Sequence, residues 1–279
     1  MTAPLLMGCD FSSSPSRRKP IVLAIGKCDF GNTDGHVSLS KLEQFESLPV
    51  LAGYLSDVPE WLGAFDLPFG LPRELVQTLG WPQAWLPCLQ HFASLTRPEI
   101  RTAFKTFCDA RPVGRKFAHR ATDVPAGSSP SMKWVNPPVA LMMHASVPLR
   151  LQTRASLPGL HPTPAKRIAL EAYPGMLIRE LIGRQSYKSD TKTKQTPERR
   201  AARVAAVQAL EEGKSRLGIT LILTAEQRFR LIEDASGDSL DAVACLVQAA
   251  WAARRAALGD SRYGWPHDAD PLEGWILTA

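Results

Sequence analysis

The chain has 279 residues, 44% of them apolar and 22% charged, which is an ordinary globular composition with length for a large core in one elaborated domain. No stretch approaches the roughly 20 apolar residues of a membrane helix, and the N-terminal residues lack the pattern of a secretion signal, so we expect a cytoplasmic protein with no membrane association. The five cysteines form no CxxC pair, so we expect no zinc site. The net charge is +6, and the positive charge is unevenly distributed, because residues 97–133 and 179–203 each hold eight basic and three acidic residues. Such basic segments are typical of a surface that binds a polyanion, and equally of an ordinary solvated surface.

Three runs rich in β-forming residues open the chain, at Leu5–Phe11, Ile21–Lys27 and His36–Leu42. Turn residues separate them, first at 12–15 and then in the Gly-Asn-Thr-Asp-Gly sequence at 31–35. Because short connections make neighbouring strands antiparallel, we expect a three-strand meander.

Alternating helix and strand patterns follow the meander. The pattern predicts a helix at Pro49–Leu55, a strand at 61–65 that ends on Asp66, and a helix at Arg73–Leu79. Residues 80–165 are rich in proline and have no clear period, so we interpret them as an irregular, partly flexible insertion. Beyond this segment we expect a strand at Arg167–Tyr173 and then helices at 175–183, 197–212, 225–233 and about 239–257.

This order predicts an α/β fold. The antiparallel meander is continued by parallel strands in one mixed sheet, with helices on both faces and a large insertion at 80–165 inside a single domain, 1–279. Sites in such sheets gather beyond the carboxyl ends of the parallel strands.

Five carboxylates fall where such a site is expected. Three of them, Asp10, Asp66 and Glu171, lie at or near strand ends, and two, Asp238 and Asp241, share one face at a helix start. Taken singly, each also has an ordinary explanation, because aspartate is common in turns and at helix N-termini.

Together, these five residues predict a cation site. Carboxylates confined in one space repel one another, so their pKa values rise unless cations intervene. Hard oxygen ligands suit Mg²⁺ or Mn²⁺, and two such ions can activate a water for phosphodiester cleavage. Lysines and arginines that hold a polyanion are consistent with a metal-charged centre of this kind.

Six motifs in order along the chain carry a family resemblance: GCDFSSSP (8–15), FDLPFGLP (65–72), EAYPG (171–175), YK (187–188), DSLDAVACLVQAAW (238–251) and EGWI (273–276). Together they resemble the "domain of unknown function 429" family, which is regarded as predicted nucleases of the RNase H-like superfamily. The resemblance implies an RNase H-like fold, a divalent-metal site and nuclease activity, with the five candidate catalytic carboxylates at its motif positions.

Roles within the site are hypotheses at this point. Asp10 is the candidate bridge between two metal ions, with Asp66 and Asp241 each favouring one ion. Glu171 or Asp238 is expected to complete the set of metal ligands or to orient the attacking water. The expected metal ligands are Asp10, Asp66, Glu171 and Asp241.

Nucleic acid, DNA or RNA, is the expected partner. The serines at 12–14 and Arg17 follow Asp10 closely and are candidate phosphate donors, although a simple hairpin turn explains them as well. Further candidates for phosphate contacts are Lys188, Lys192 and Lys194. Two other functions stay open: an ATP-using phosphotransferase of the actin and sugar-kinase type, and a non-catalytic nucleic-acid-binding or regulatory module.

Overall fold

The computed structural model describes residues 5–30 and 35–279, so most of the predicted turn at 31–35 lies outside the described residues. The strands in this part of the chain are β1 (Leu5–Asp10), β2 (Ile21–Phe30), β3 (Gly35–Phe45), β4 (Trp61–Asp66), β5 (Arg167–Glu171) and β6 (Ile219–Ile222). They form one mixed sheet in the order β5-β4-β1-β2-β3-β6.

The meander is confirmed, because β1 pairs antiparallel with β2, and β2 with β3. The predicted parallel continuation is confirmed as well, since β4 lies parallel to β1, and β5 lies parallel to β4. Strand β6 was not predicted. It has only four residues and lies parallel to β3 at the opposite edge of the sheet.

The helices of the described residues are α1 (Leu48–Asp57), α2 (Arg73–Thr78), α3 (Trp85–Ser94), α4 (Arg97–Asp109), α5 (Asp123–Ala126), α6 (Val139–Thr153), α7 (Pro174–Ile182), α8 (Pro197–Glu211), α9 (Ala225–Glu233) and α10 (Asp238–Ala257), with a short 3₁₀ helix at Lys192–Lys194. Helices cover both faces of the sheet, as predicted. Because strand side chains alternate between faces, Met7 and Cys9 join a core with α1, α3, α4 and α6, whereas Leu6 and Ala64 join a core with α7, α8 and α10.

The prediction that residues 80–165 are irregular is wrong, because α3, α4, α5 and α6 lie in this segment. Its prolines obscured a regular pattern. Pro98, for example, lies in the first turn of α4, where proline fits a helix, and Thr96 and Glu99 form a capping box there. Phe92 and Phe104 from this segment are fully buried in the core on the β1–Cys9 face.

Helix α10 packs directly on the central strands β1, β2 and β4. The contact with β1 is a contact between backbones. A Cβ atom at Gly8 would lie 2.1 Å from the Leu246 nitrogen and 2.2 Å from the Ala242 carbonyl oxygen, so only glycine fits at this position. This close approach places the first turn of α10 beside the carboxyl end of β1.

Candidate active site at the strand ends

Asp10 and Asp66 form the centre of the candidate site. They are register partners at the carboxyl ends of β1 and β4, so their side chains point to the same face of the sheet. Neither carboxylate has a hydrogen bond or an ion pair with the residues that the structure describes. Both line a cleft of about 440 Å³.

The surroundings of these two carboxylates disfavour their charged forms. Burial is the largest cause, and with the charges of Asp241 and Asp238 it raises the pKa of Asp10 well above its usual range. Burial and the charge of Asp241 raise the pKa of Asp66 to about 7, although Lys188 acts in the opposite direction. The site therefore carries more acidic groups than its own cations neutralise.

Asp241 brings a third carboxylate to this face, from the first turn of α10, where it is 0% exposed. The Tyr187 hydroxyl donates to its Oδ1 over 2.5 Å, and the Lys188 ammonium forms an ion pair with its Oδ2. Although burial opposes it, the charge of Asp241 raises the pKa of Lys188 well above its usual value. Lys188 thus supplies positive charge at the point where a metal ion is expected.

Two neighbours hold the Tyr187–Lys188 segment in this position. The Arg203 guanidinium is buried and donates to the Tyr187 carbonyl over 2.7 Å. Gly237 precedes α10 with a φ of +78°, and a Cβ atom there would lie 2.6 Å from the Cβ of Lys188. Lys188 was predicted to contact a substrate phosphate, whereas the structure places its ammonium against the Asp241 carboxylate.

Asp238, the first residue of α10, also lines the cleft. Burial raises its pKa, and the charge of Lys19 lowers it. Lys19 itself forms a 2.6 Å ion pair with Asp190, and both of these side chains also line the cleft. Lys19 was not among the residues singled out in the sequence, where it belongs to the turn after β1.

The structure does not bring Glu171 into this group. Its register partner on β4 is Phe65, so it points to the opposite face of the sheet from Asp66. Its two carboxylate oxygens accept from the Arg120 guanidinium over 2.7 and 2.8 Å, and the Phe69 N–H donates to it over 2.8 Å. Glu171 lines another wall of the same cleft, and its carboxylate forms a buried ion pair with Arg120.

Arg120 was counted as part of a basic segment, but it is only 2% exposed. In addition to Glu171, it binds Asp123 over 2.9 Å and the carbonyl of Glu273 over 3.0 Å. No pattern in the sequence separates this buried arginine from its exposed neighbours, because the residues around it have no helical or strand period.

Two of the six sequence motifs, FDLPFGLP and EGWI, contact each other at Gly70 and Glu273, which do not line the cleft. A Cβ atom at Gly70 would lie 2.3 Å from the carbonyl oxygens of Leu272 and Glu273, so glycine lets the two segments touch. The Glu273 carboxylate accepts from the backbone N–H of Arg73 over 2.7 Å and of Ala121 over 2.9 Å. These motif residues therefore stabilise the loop after Asp66 and do not enter the cleft.

The remaining predicted nucleic-acid contacts lie outside the acidic centre. Ser12 lines the cleft, and its hydroxyl accepts from the Ser14 N–H over 3.4 Å, as in a local turn. Arg17 and Lys192 line a neighbouring surface cleft that shares Lys19, Asp190 and Asp238 with the acidic cleft, and Lys194 is exposed in the 3₁₀ helix. Other members of the basic segments form intramolecular ion pairs, including Lys105 with Asp109 and Arg200 with Glu233, so the free positive charge is smaller than the sequence indicates.

The donor atoms fit a hard divalent cation, because Asp10 and Asp66 offer unpartnered carboxylate oxygens side by side. Within residues 5–30 and 35–279, no three His, Cys, Asp or Glu side chains are already grouped as metal ligands. A cation bound by Asp10 and Asp66 together with Asp241 would have to replace Lys188 at Asp241.

Comparison with protein-family models, curated proteins and solved structures finds no match to this chain. Among the helices of the described residues, none combines the length and the apolar character needed to cross a membrane.

Proposed function

We propose that the protein is a divalent-metal-dependent nuclease that hydrolyses phosphodiester bonds in the cleft beside Asp10 and Asp66. One observation carries the proposal: these two carboxylates lie side by side in register, have no partner in the described chain, and have raised pKa values. Such a pair is stabilised by bound positive charge. Mg²⁺ or Mn²⁺ supplies that charge, together with the ability to activate a water and to stabilise the leaving oxygen.

The fold supports the proposal. The meander β1-β2-β3, with β4 and β5 parallel beside β1, agrees with the arrangement expected of an RNase H-like sheet, and we assign the chain to that fold as part of the proposal. In this arrangement the ends of β1 and β4 are central, where loops and helices from several parts of the chain surround a substrate.

The side chains around the pair have distinct proposed roles. Asp10 and Asp66 hold the metal, and Asp241 or Asp238 adds further oxygen donors. Tyr187 orients Asp241 through its 2.5 Å hydrogen bond. Glu171 has a positioning role, because it holds the Phe69 N–H in the loop that follows Asp66.

Lys19 lines the cleft and is a candidate for a contact with a substrate phosphate. Lys192 and Lys194 extend the positive surface and are proposed to bind the nucleic-acid backbone outside the cleft. Lysines that contact phosphates affect the salt dependence of binding, which gives this part of the proposal its own measurement.

The test is cleavage of labelled DNA, RNA and hybrid duplexes in Mn²⁺ and in Mg²⁺. We expect metal-dependent cleavage by the natural protein and its loss in Asp10→Asn and Asp66→Asn. Asp268→Asn is the matched control, since Asp268 is exposed and does not line the cleft. Equal cleavage by the natural protein and Asp10→Asn would exclude the proposed chemistry.

A second measurement concerns the substrate. A double variant, Lys192→Gln with Lys194→Gln, is expected to weaken nucleic-acid binding and to flatten its dependence on salt concentration. An unchanged slope would remove these two lysines from the binding surface.

A further inference from the structure

A second cavity, of about 530 Å³, lies at the C-terminal end of α6, and its described lining residues are all different from those of the acidic cleft. Apolar side chains form much of its wall, among them Leu86, Leu151 and Leu157. Trp85 and His161 add a stacked pair of rings, with centroids 5.9 Å apart and planes at 20°. A volume and lining of this kind are typical of small-molecule sites.

Arg154, at the rim of this cavity, has an unusual backbone conformation. It ends α6 with a φ of +50°, in the left-handed region where glycine is favoured. Its exposed side chain has no hydrogen bond or ion pair with the rest of the described chain. The guanidinium of Arg154 is therefore available to a ligand that occupies the cavity.

Arg150, one turn earlier on α6, provides a second, independent observation. It is 7% exposed and lines the same cavity, and its guanidinium donates only to the backbone carbonyls of Pro68, over 2.5 Å, and Phe69, over 3.4 Å. Burial lowers the pKa of Arg150 to about 9, although the charge of Glu171 opposes this effect. The guanidinium also packs over the Phe69 ring, 4.3 Å from its centroid. In the described residues no carboxylate lies within ion-pair distance of it, although buried charges are normally paired with an opposite charge.

We infer that this cavity binds a small apolar or aromatic molecule that carries one carboxylate. Its apolar body packs against Leu86, Leu151 and Leu157, and its carboxylate pairs with the free guanidinium of Arg154. The planar fork of an arginine matches a carboxylate through two parallel hydrogen bonds. The apolar wall disfavours inorganic phosphate or a polyanion, which would lose hydration there without gaining partners.

The inference does not depend on the function of the acidic cleft. Calorimetric titration of the full-length protein with 1-naphthoate, octanoate, the uncharged 1-naphthamide and inorganic phosphate tests it. We expect the Kd of at least one carboxylate to be tenfold or more below that of the amide, and no measurable binding of phosphate. Binding of the amide as tightly as naphthoate, or failure of both carboxylates to bind, overturns the inference.

Two variants locate the binding. Arg154→Gln is expected to raise the carboxylate Kd to the level of the amide. Leu151→Glu, at a side chain already 45% exposed, is expected to abolish carboxylate binding without unfolding the protein. Arg101→Gln, an exposed arginine on α4, is the control and leaves the Kd unchanged. Unaltered affinity in Arg154→Gln places the ligand elsewhere and overturns the assignment.

Discussion

Replacing Lys188 tests whether its ammonium takes the place of a metal ion. Lys188→Met keeps most of the side-chain volume and leaves Asp241, which is 0% exposed, without its cation. Removing one partner of a fully buried ion pair costs about 3–5 kcal/mol. Lys188 is 42% exposed and Tyr187 still donates to Asp241, so we expect the smaller loss of about 1–3 kcal/mol in the free energy of unfolding.

The assay is urea denaturation, first in EDTA and then with Mn²⁺ or Mg²⁺, together with direct titration of Mn²⁺. Lys188→Met is expected to be less stable than the natural protein in EDTA and to bind Mn²⁺ about tenfold more tightly, which corresponds to about 1.4 kcal/mol. The reason is that the metal no longer competes with the ammonium for Asp241. Added metal should therefore restore more stability to the variant than to the natural protein.

Two controls complete this experiment. Lys188→Arg keeps the charge and is expected to resemble the natural protein, and Lys116→Met removes an exposed lysine away from the cleft. The reasoning is refuted if Lys188→Met binds Mn²⁺ with unchanged or weaker affinity. Weaker binding would mean that Lys188 assists the metal, whereas absence of binding in every protein would count against the proposed function itself.

Two further predictions follow from the placement of the carboxylates. Glu171→Gln leaves the buried Arg120 without one of its carboxylates, so urea denaturation is expected to show a loss of about 3–5 kcal/mol in the free energy of unfolding. The affinity for Mn²⁺ should change less than twofold. Loss of Mn²⁺ affinity without loss of stability would instead make Glu171 a metal ligand. Asp66 has a pKa of about 7 in the folded state, above its unfolded value of about 4. As the pH rises, Asp66 therefore ionises first in the unfolded state, and the free energy of unfolding falls between pH 4 and pH 7. In EDTA, the natural protein should thus lose stability relative to Asp66→Asn from pH 4 to pH 7, and parallel pH profiles of the two proteins would contradict this.

Much of the fold could be predicted from local patterns. The strands β1 to β5 alternate or run apolar between clear turn residues. Helices α7 and α8 begin with a proline, α9 begins with a capping box, and α10 is a long, mostly apolar run. The convergence of Asp10, Asp66 and Asp241 was also predictable, because strand ends and a helix start are local features, and their meeting follows from the order of elements.

The remaining features depend on interactions between distant segments. The face on which Glu171 lies is decided by the register of β5 against β4, and a shift of one residue would reverse it. Burial of Arg120 depends on Asp123, Glu171 and the backbone of Glu273, which are far apart in sequence. Strand β6 is too short to show a period, and it forms because β3 offers it an edge.

The backbone contact between Gly8 and α10 has a consequence for how this protein tolerates change. Where a helix rests on a strand through main-chain atoms, the distance between them is set by van der Waals contact of those atoms and depends less on the volume of intervening side chains. Volume changes elsewhere in the apolar interior can then be absorbed by other helices without altering the separation of Asp10 and Asp241. A library that varies the interior should therefore keep glycine at position 8, so that the spacing of the carboxylates is retained.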